Sequence, residues 1–105
     1  MTEISVGQLK ARRDAGDDIV LLDVRELDEV ATASLAGATV IAMAEIPARL
    51  ADLPTDKPIV VMCHHGSRSA HVTGFLNANG YPNAVNLEGG IDAWSSQIDP
   101  AVPRY

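Results

Sequence analysis

Residues 63–69 read Cys63-His64-His65-Gly66-Ser67-Arg68-Ser69 and hold the only cysteine of the chain. Upstream, Pro58-Ile59-Val60-Val61-Met62 is apolar and rich in β-branched residues, the pattern of a strand buried on both faces. Downstream, Ala70, Val72, Phe75, Leu76 and Ala78 predict an amphipathic helix over 67–79, closed by Asn79-Gly80. The thiol is therefore expected at a strand-to-helix turn. The first N–H groups of a helix lack intrahelical partners, and the macrodipole adds partial positive charge there. A cysteine so placed can have its pKa lowered from about 8.5 to roughly 3.5–7.5, which makes the nucleophilic thiolate abundant near neutral pH. Arg68 adds a permanent cation, and Gly66 lets the backbone curl so that several N–H groups meet at one point. Such a loop suits a thiolate, a persulfide anion or an oxyanion. A buried core cysteine is the plain alternative, but the polar string after Cys63 cannot continue a buried strand.

The surrounding elements follow from periodicity. Ser5-Val6-Gly7-Gln8 has the spacing of a capping box, and Leu9 with Ala11 predicts a short helix ending before Gly16. Lys10, Arg12 and Arg13 fit the exposed face and C-terminal half of that helix. An apolar run at 19–23 ends in Asp23, a helix-prone stretch covers 27–33, and 38–41 is a further strand after Gly37. Residues 44–53 predict a helix stopped by Pro54, 84–87 a last strand, and Glu88-Gly89-Gly90-Ile91 the turn into a final helix carrying Trp94. Strands alternating with helices predict an α/β fold, a parallel sheet covered on both faces by helices. Ligands of such sheets bind at the carboxyl ends of the strands. Asp23 and Cys63 both end apolar strands and are expected at that rim.

Composition sets the remaining bounds. A chain of 105 residues suits one domain, 1–105, stable without disulfides or structural metal. One cysteine can form neither an internal disulfide nor a cysteine-based zinc site, and the three histidines show no ligand set at metal spacing. The formal net charge of −6 gives no footprint for nucleic acid or an anionic membrane. There is no basic and apolar leader pattern and no run near the roughly 20 apolar residues of a membrane span. A soluble, reducing, cytoplasmic setting is expected.

The residues together resemble a single-domain rhodanese, from near the first helix to the last residues. The segment Leu21-Leu22-Asp23-Val24-Arg25-Glu26 resembles the family's Asp-Val-Arg segment, and residues 63–69 its cysteine loop. Leu87-Glu88-Gly89-Gly90-Ile91 with Trp94 is similar to its C-terminal signature, and Pro103 with Tyr105 to its closing residues. Ser34-Leu35-Ala36-Gly37-Ala38 departs from the His-Ile-Pro-Gly-Ala of many relatives. The resemblance implies a mostly parallel sheet of about five strands flanked by helices. It implies a thiosulfate sulfurtransferase in which Cys63 takes a sulfane sulfur from thiosulfate or another donor, becomes a persulfide, and passes that sulfur to cyanide or a thiol. The donor or acceptor could itself be a protein, and no metal or organic cofactor is implied.

Within that reading His64, His65, Gly66, Ser67, Arg68 and Ser69 form the substrate-binding loop. His64 and His65 either face solvent while their amides bind the anion, or tune the thiolate through an imidazole of pKa about 6.5. Arg68 either contacts the anion or pairs with a carboxylate to fix the loop, Asp23 being the natural partner. Arg25 either lines the rim and attracts thiosulfate or is solvated at a helix start. Ser67 and Ser69 are expected to cap the following helix, and Trp94, Phe75 and the leucines to lie in the core. Two other functions compete. Phosphatases of the cell-cycle type, with related arsenate chemistry, share the fold but have a longer loop, whereas only His64, His65, Gly66 and Ser67 separate Cys63 from Arg68. A non-catalytic binding or redox-sensing module is the other, with Cys63 as sensor or docking element.

Overall fold

The apolar runs become strands of one sheet. The computed structural model of the protein describes residues 2–105. Its elements are β1 (Glu3–Ile4), α1 (Val6–Asp14), β2 (Val20–Asp23), α2 (Leu27–Thr32), β3 (Thr39–Val40), two 3-10 helices (Met43–Glu45 and Pro47–Asp52), β4 (Ile59–Met62), α3 (Ser67–Ala78), β5 (Ala84–Leu87) and α4 (Gly90–Gln97). The strands lie in the order β1-β5-β4-β2-β3, and every pairing is parallel. The short edge strand β1 is the one that the apolar pattern does not signal, having only Ile4 buried.

β4 lies between β5 and β2, and all of its residues are buried. Successive side chains of a strand point to opposite faces, and here that alternation sorts the core. Ile59, Val61 and Cys63 pack with Leu22, Ile41, Val72 and Leu76, whereas Val60 and Met62 pack with Leu9, Leu21, Ile91 and Trp94. Each fully buried Val, Leu or Ile contributes roughly 1.5–3 kcal/mol of transfer free energy. The strand period thus carries the chain to Cys63 on the face covered by α3, whose buried residues are Ser69, Val72, Thr73 and Leu76.

α1 starts as its sequence predicts: Ser5 Oγ accepts the Gln8 N–H at 3.1 Å, and Gln8 Oε1 accepts the Ser5 N–H at 2.9 Å. Arg12 and Arg13 occupy its last turn. Arg13 also donates to Ala36 O, tying the segment that departs from the family pattern to α1.

Three expectations need correction. Residues 44–53 do not form one α-helix: Pro47, which has no N–H to donate, starts a second 3-10 helix after Ile46 has turned into the core. Phe75 is only half-buried and lines a small cleft with Met43, Ile46 and Pro47. Leu27 is 75 % exposed, because it opens α2, a helix with no buried residue. Among the described residues no helix is long and apolar enough to cross a membrane.

Candidate active site

Cys63 follows β4 directly, and Gly66, at φ +109°, turns the chain into α3. The residue is 1 % exposed and belongs to the α3-side core. Its sulfur nevertheless has polar partners: Sγ accepts the Gly66 N–H at 3.1 Å and the Ser69 hydroxyl at 3.2 Å. Burial in the core and hydrogen bonding of the sulfur therefore coexist here. Burial pushes the thiol pKa up, but the Ser69 hydroxyl and the amides of Ser69, Gly66 and His65 outweigh it, leaving the thiol below its ordinary value. Ser69 accordingly does not cap α3. It is the third residue of the helix and is fully buried with its hydroxyl on the sulfur, while Gly66 occupies the cap position without a side-chain cap. Ser67 is exposed as the first helical residue.

Arg68 pairs with Glu29 rather than Asp23. Its Nη1 and Nη2 lie 2.6 and 2.8 Å from the two carboxylate oxygens, a bidentate fork. Glu29 comes from the first turn of α2, and nothing local in the sequence links it to the cysteine loop. The Arg68 fork holds its carboxyl at about 2, well below the ordinary value of 4.5, and the Tyr105 hydroxyl adds to the effect. A depressed folded-state pKa stabilises the fold above the unfolded value and ceases to do so as pH falls through the folded one. The stability difference between the wild type and Glu29→Gln should therefore be largest above about pH 5 and shrink between 4.5 and about 2. A difference that stays constant across that range in chemical denaturation would show that Glu29 is not the acid-sensitive member of the pair.

Arg25 does not line the rim. It is fully buried, because Asp23, two positions earlier, presents its carboxylate to both the Arg25 amide and the guanidinium. Nε donates to Oδ1 at 2.9 Å and Nη2 to Oδ2 at 2.7 Å. Nη2 also donates to Ala33 O at 2.7 Å, and Nη1 donates to the Tyr105 hydroxyl at 2.9 Å. That hydroxyl in turn donates to Glu29 Oε2 at 2.8 Å. A polar chain thus runs from the buried Asp23–Arg25 pair through Tyr105 and Glu29 to Arg68 of the cysteine loop. The Tyr105 ring stacks on His64 with centroids 3.8 Å apart and planes 7° apart. His64 is half-buried and His65 exposed.

The start of α4 backs the loop. Ile91 and Asp92 donate their N–H groups to Cys63 O at 2.9 Å and His64 O at 3.0 Å. Gly90, at φ +59°, is what allows this approach: a Cβ there would lie 2.5 Å from both of those carbonyl oxygens. Gly90→Ala is expected to lose at least about 1–2 kcal/mol to the left-handed conformation alone and to push the loop away from α4. The first turn of α4 also brings Asp92 beside His64 and His65, one possible ligand atom from each lying within 4.8 Å of the others. Sequence spacing does not reveal this grouping, because its third member is remote from the two histidines in the chain.

Taken together, the loop and sheet define an α/β protein whose single cysteine, its thiol pKa lowered, sits in the turn from β4 into α3 at the carboxyl edge of a parallel sheet. The Rhodanese-like domain profile matches residues 5–97. The Bacillus subtilis protein named "Putative sulfurtransferase YtwF" is 39% identical over 98 residues, covering 93% of this chain and 94% of that one. A protein of Allochromatium vinosum named "Sulfurtransferase" is 33% identical, with 97% and 95% covered. The crystal structure of a rhodanese-related protein from Thermoplasma volcanium superposes with a TM-score of 0.87 at 33% identity, each chain covered in full. The chain belongs to the rhodanese family, and these relatives support sulfur transfer as its general activity.

Proposed function

We propose that the protein is a thiosulfate or persulfide sulfurtransferase working through a Cys63 persulfide. The observation that carries this reading is the cysteine sulfur held by the Gly66 amide and the Ser69 hydroxyl, with its pKa drawn down. The thiolate attacks the outer sulfur of thiosulfate, a Cys63 S–S bond forms, the donor S–S bond breaks, and sulfite leaves with the bonding electron pair. The negative terminal sulfur is then stabilised by the convergent N–H groups. An external nucleophile, cyanide or a thiolate, attacks that sulfur and releases the Cys63 thiolate. The chain has no second cysteine to resolve the persulfide, so the acceptor comes from outside, as a small molecule or a partner protein. Continuous use of a free thiol fits a reducing, cytoplasmic setting.

Arg68 supports sulfur over phosphate chemistry, since Glu29 engages both ends of its guanidinium and leaves the amides as the main anion donors. Incubation with thiosulfate should add one sulfur, about 32 Da, to Cys63 alone, and a thiol reductant should remove it. If no sulfane donor gives that adduct, the reading fails in favour of a non-catalytic module.

A further inference from the structure

The side chains of His64, His65 and Asp92 make no hydrogen bond to the Cys63 sulfur, yet the fold brings them together. The Asp92 N–H bonded to His64 O fixes the first turn of α4 against the cysteine loop. The two imidazole rings have centroids 3.8 Å apart with a 31° tilt. His64 Nε2 is buried with no hydrogen-bond partner, a state that costs about 1–3 kcal/mol for a polar atom. Two imidazoles and a carboxylate are the donor types of a borderline dication, and three such ligands leave a fourth position open.

We propose that His64, His65 and Asp92 bind a transition-metal dication such as Zn2+, which links the cysteine loop to α4. Zn–N and Zn–O bonds of about 2.0–2.2 Å require ligand atoms to be about 3.4 Å apart. From a spread of up to 4.8 Å the set has to close by up to about 1.4 Å, and His65, the exposed member, is the one freest to turn. Arg104 competes for the carboxylate, its Nε and Nη2 lying 3.0 and 3.1 Å from the two Asp92 oxygens. Its side chain is 60% exposed, and solvated pairs of this kind separate at little cost.

The test reads binding directly and so does not depend on sulfur transfer. In the Cys63→Ser chain, where no thiolate can capture the metal, Zn2+ is titrated by calorimetry and Co2+ by its visible absorption. One equivalent is expected to bind. Loss of outer-shell partners alone weakens metal sites roughly 10–100-fold, so His65→Ala and Asp92→Asn in that background should each weaken binding by at least about tenfold. Arg104→Ala should tighten it by freeing Asp92. Absence of saturable binding in Cys63→Ser, or binding unchanged by either His65→Ala or Asp92→Asn, overturns the site.

Discussion

Cys63→Ser should reduce thiosulfate-to-cyanide transfer to below about one thousandth of the wild-type rate, the scale on which loss of a covalent nucleophile acts. The expected cause is chemical, not structural. A serine hydroxyl is not ionised near neutral pH, and an Oγ–S bond could not mimic the persulfide. The hydroxyl fits the space of the thiol and can accept from the same Gly66 N–H and Ser69 hydroxyl. The variant should therefore melt close to the wild type while thiocyanate formation disappears. Turnover retained above that level would remove Cys63 from the nucleophile role, and a large fall in melting temperature would make the activity loss uninformative.

Arg25→Ala should be the most destabilising single change at the site, by about 3–5 kcal/mol, the usual cost of leaving one member of a buried ion pair alone. Both side chains of the Asp23–Arg25 pair are fully buried, so the stranded carboxylate would have no water to replace the guanidinium. Ala33 O would also lose its guanidinium donor, and the Tyr105 hydroxyl its link to the core. For a domain of this size each kcal/mol shifts the melting temperature by roughly 4–8 °C, so a drop of about 12 °C or more is expected. Arg25→Lys should fall between, keeping the charge but losing the planar fork. A melting temperature within about 4 °C of the wild type for Arg25→Ala would show that Asp23 is satisfied in some other way.

These two outcomes separate the role of Cys63 from that of Arg25. Arg25 anchors the Asp-Val-Arg segment from below the rim, and Arg68 fixes the loop from its outer side through Glu29. The hydrogen bonds to the Cys63 sulfur come from the Gly66 N–H and the Ser69 hydroxyl, and from neither arginine. Tyr105 joins the two arginine systems with one hydroxyl that accepts from Arg25 and donates to Glu29.

Much of this was legible in the sequence because it depends on neighbours along the chain. The β-branched run before Cys63, the glycine three positions after it and the helical spacing that follows placed the thiol at a strand-to-helix turn, since strand and helix periodicities are local properties. The same locality made the capping box of Ser5 and Gln8 readable. What tertiary structure alone decided is which distant groups share a volume. Asp23 looked like the partner of Arg68, but the short path back to Arg25 satisfies it completely, and α2 supplies Glu29 to Arg68 instead. Ser69, by position a capping residue, faces the sulfur because two residues past Ser67, about 200° round α3, bring it to the buried side. Asp92 reaches His64 and His65 only because Gly90 lets the start of α4 lie against the loop. Ion-pair partners and ligand sets are settled by packing between elements, a geometry that no local period encodes.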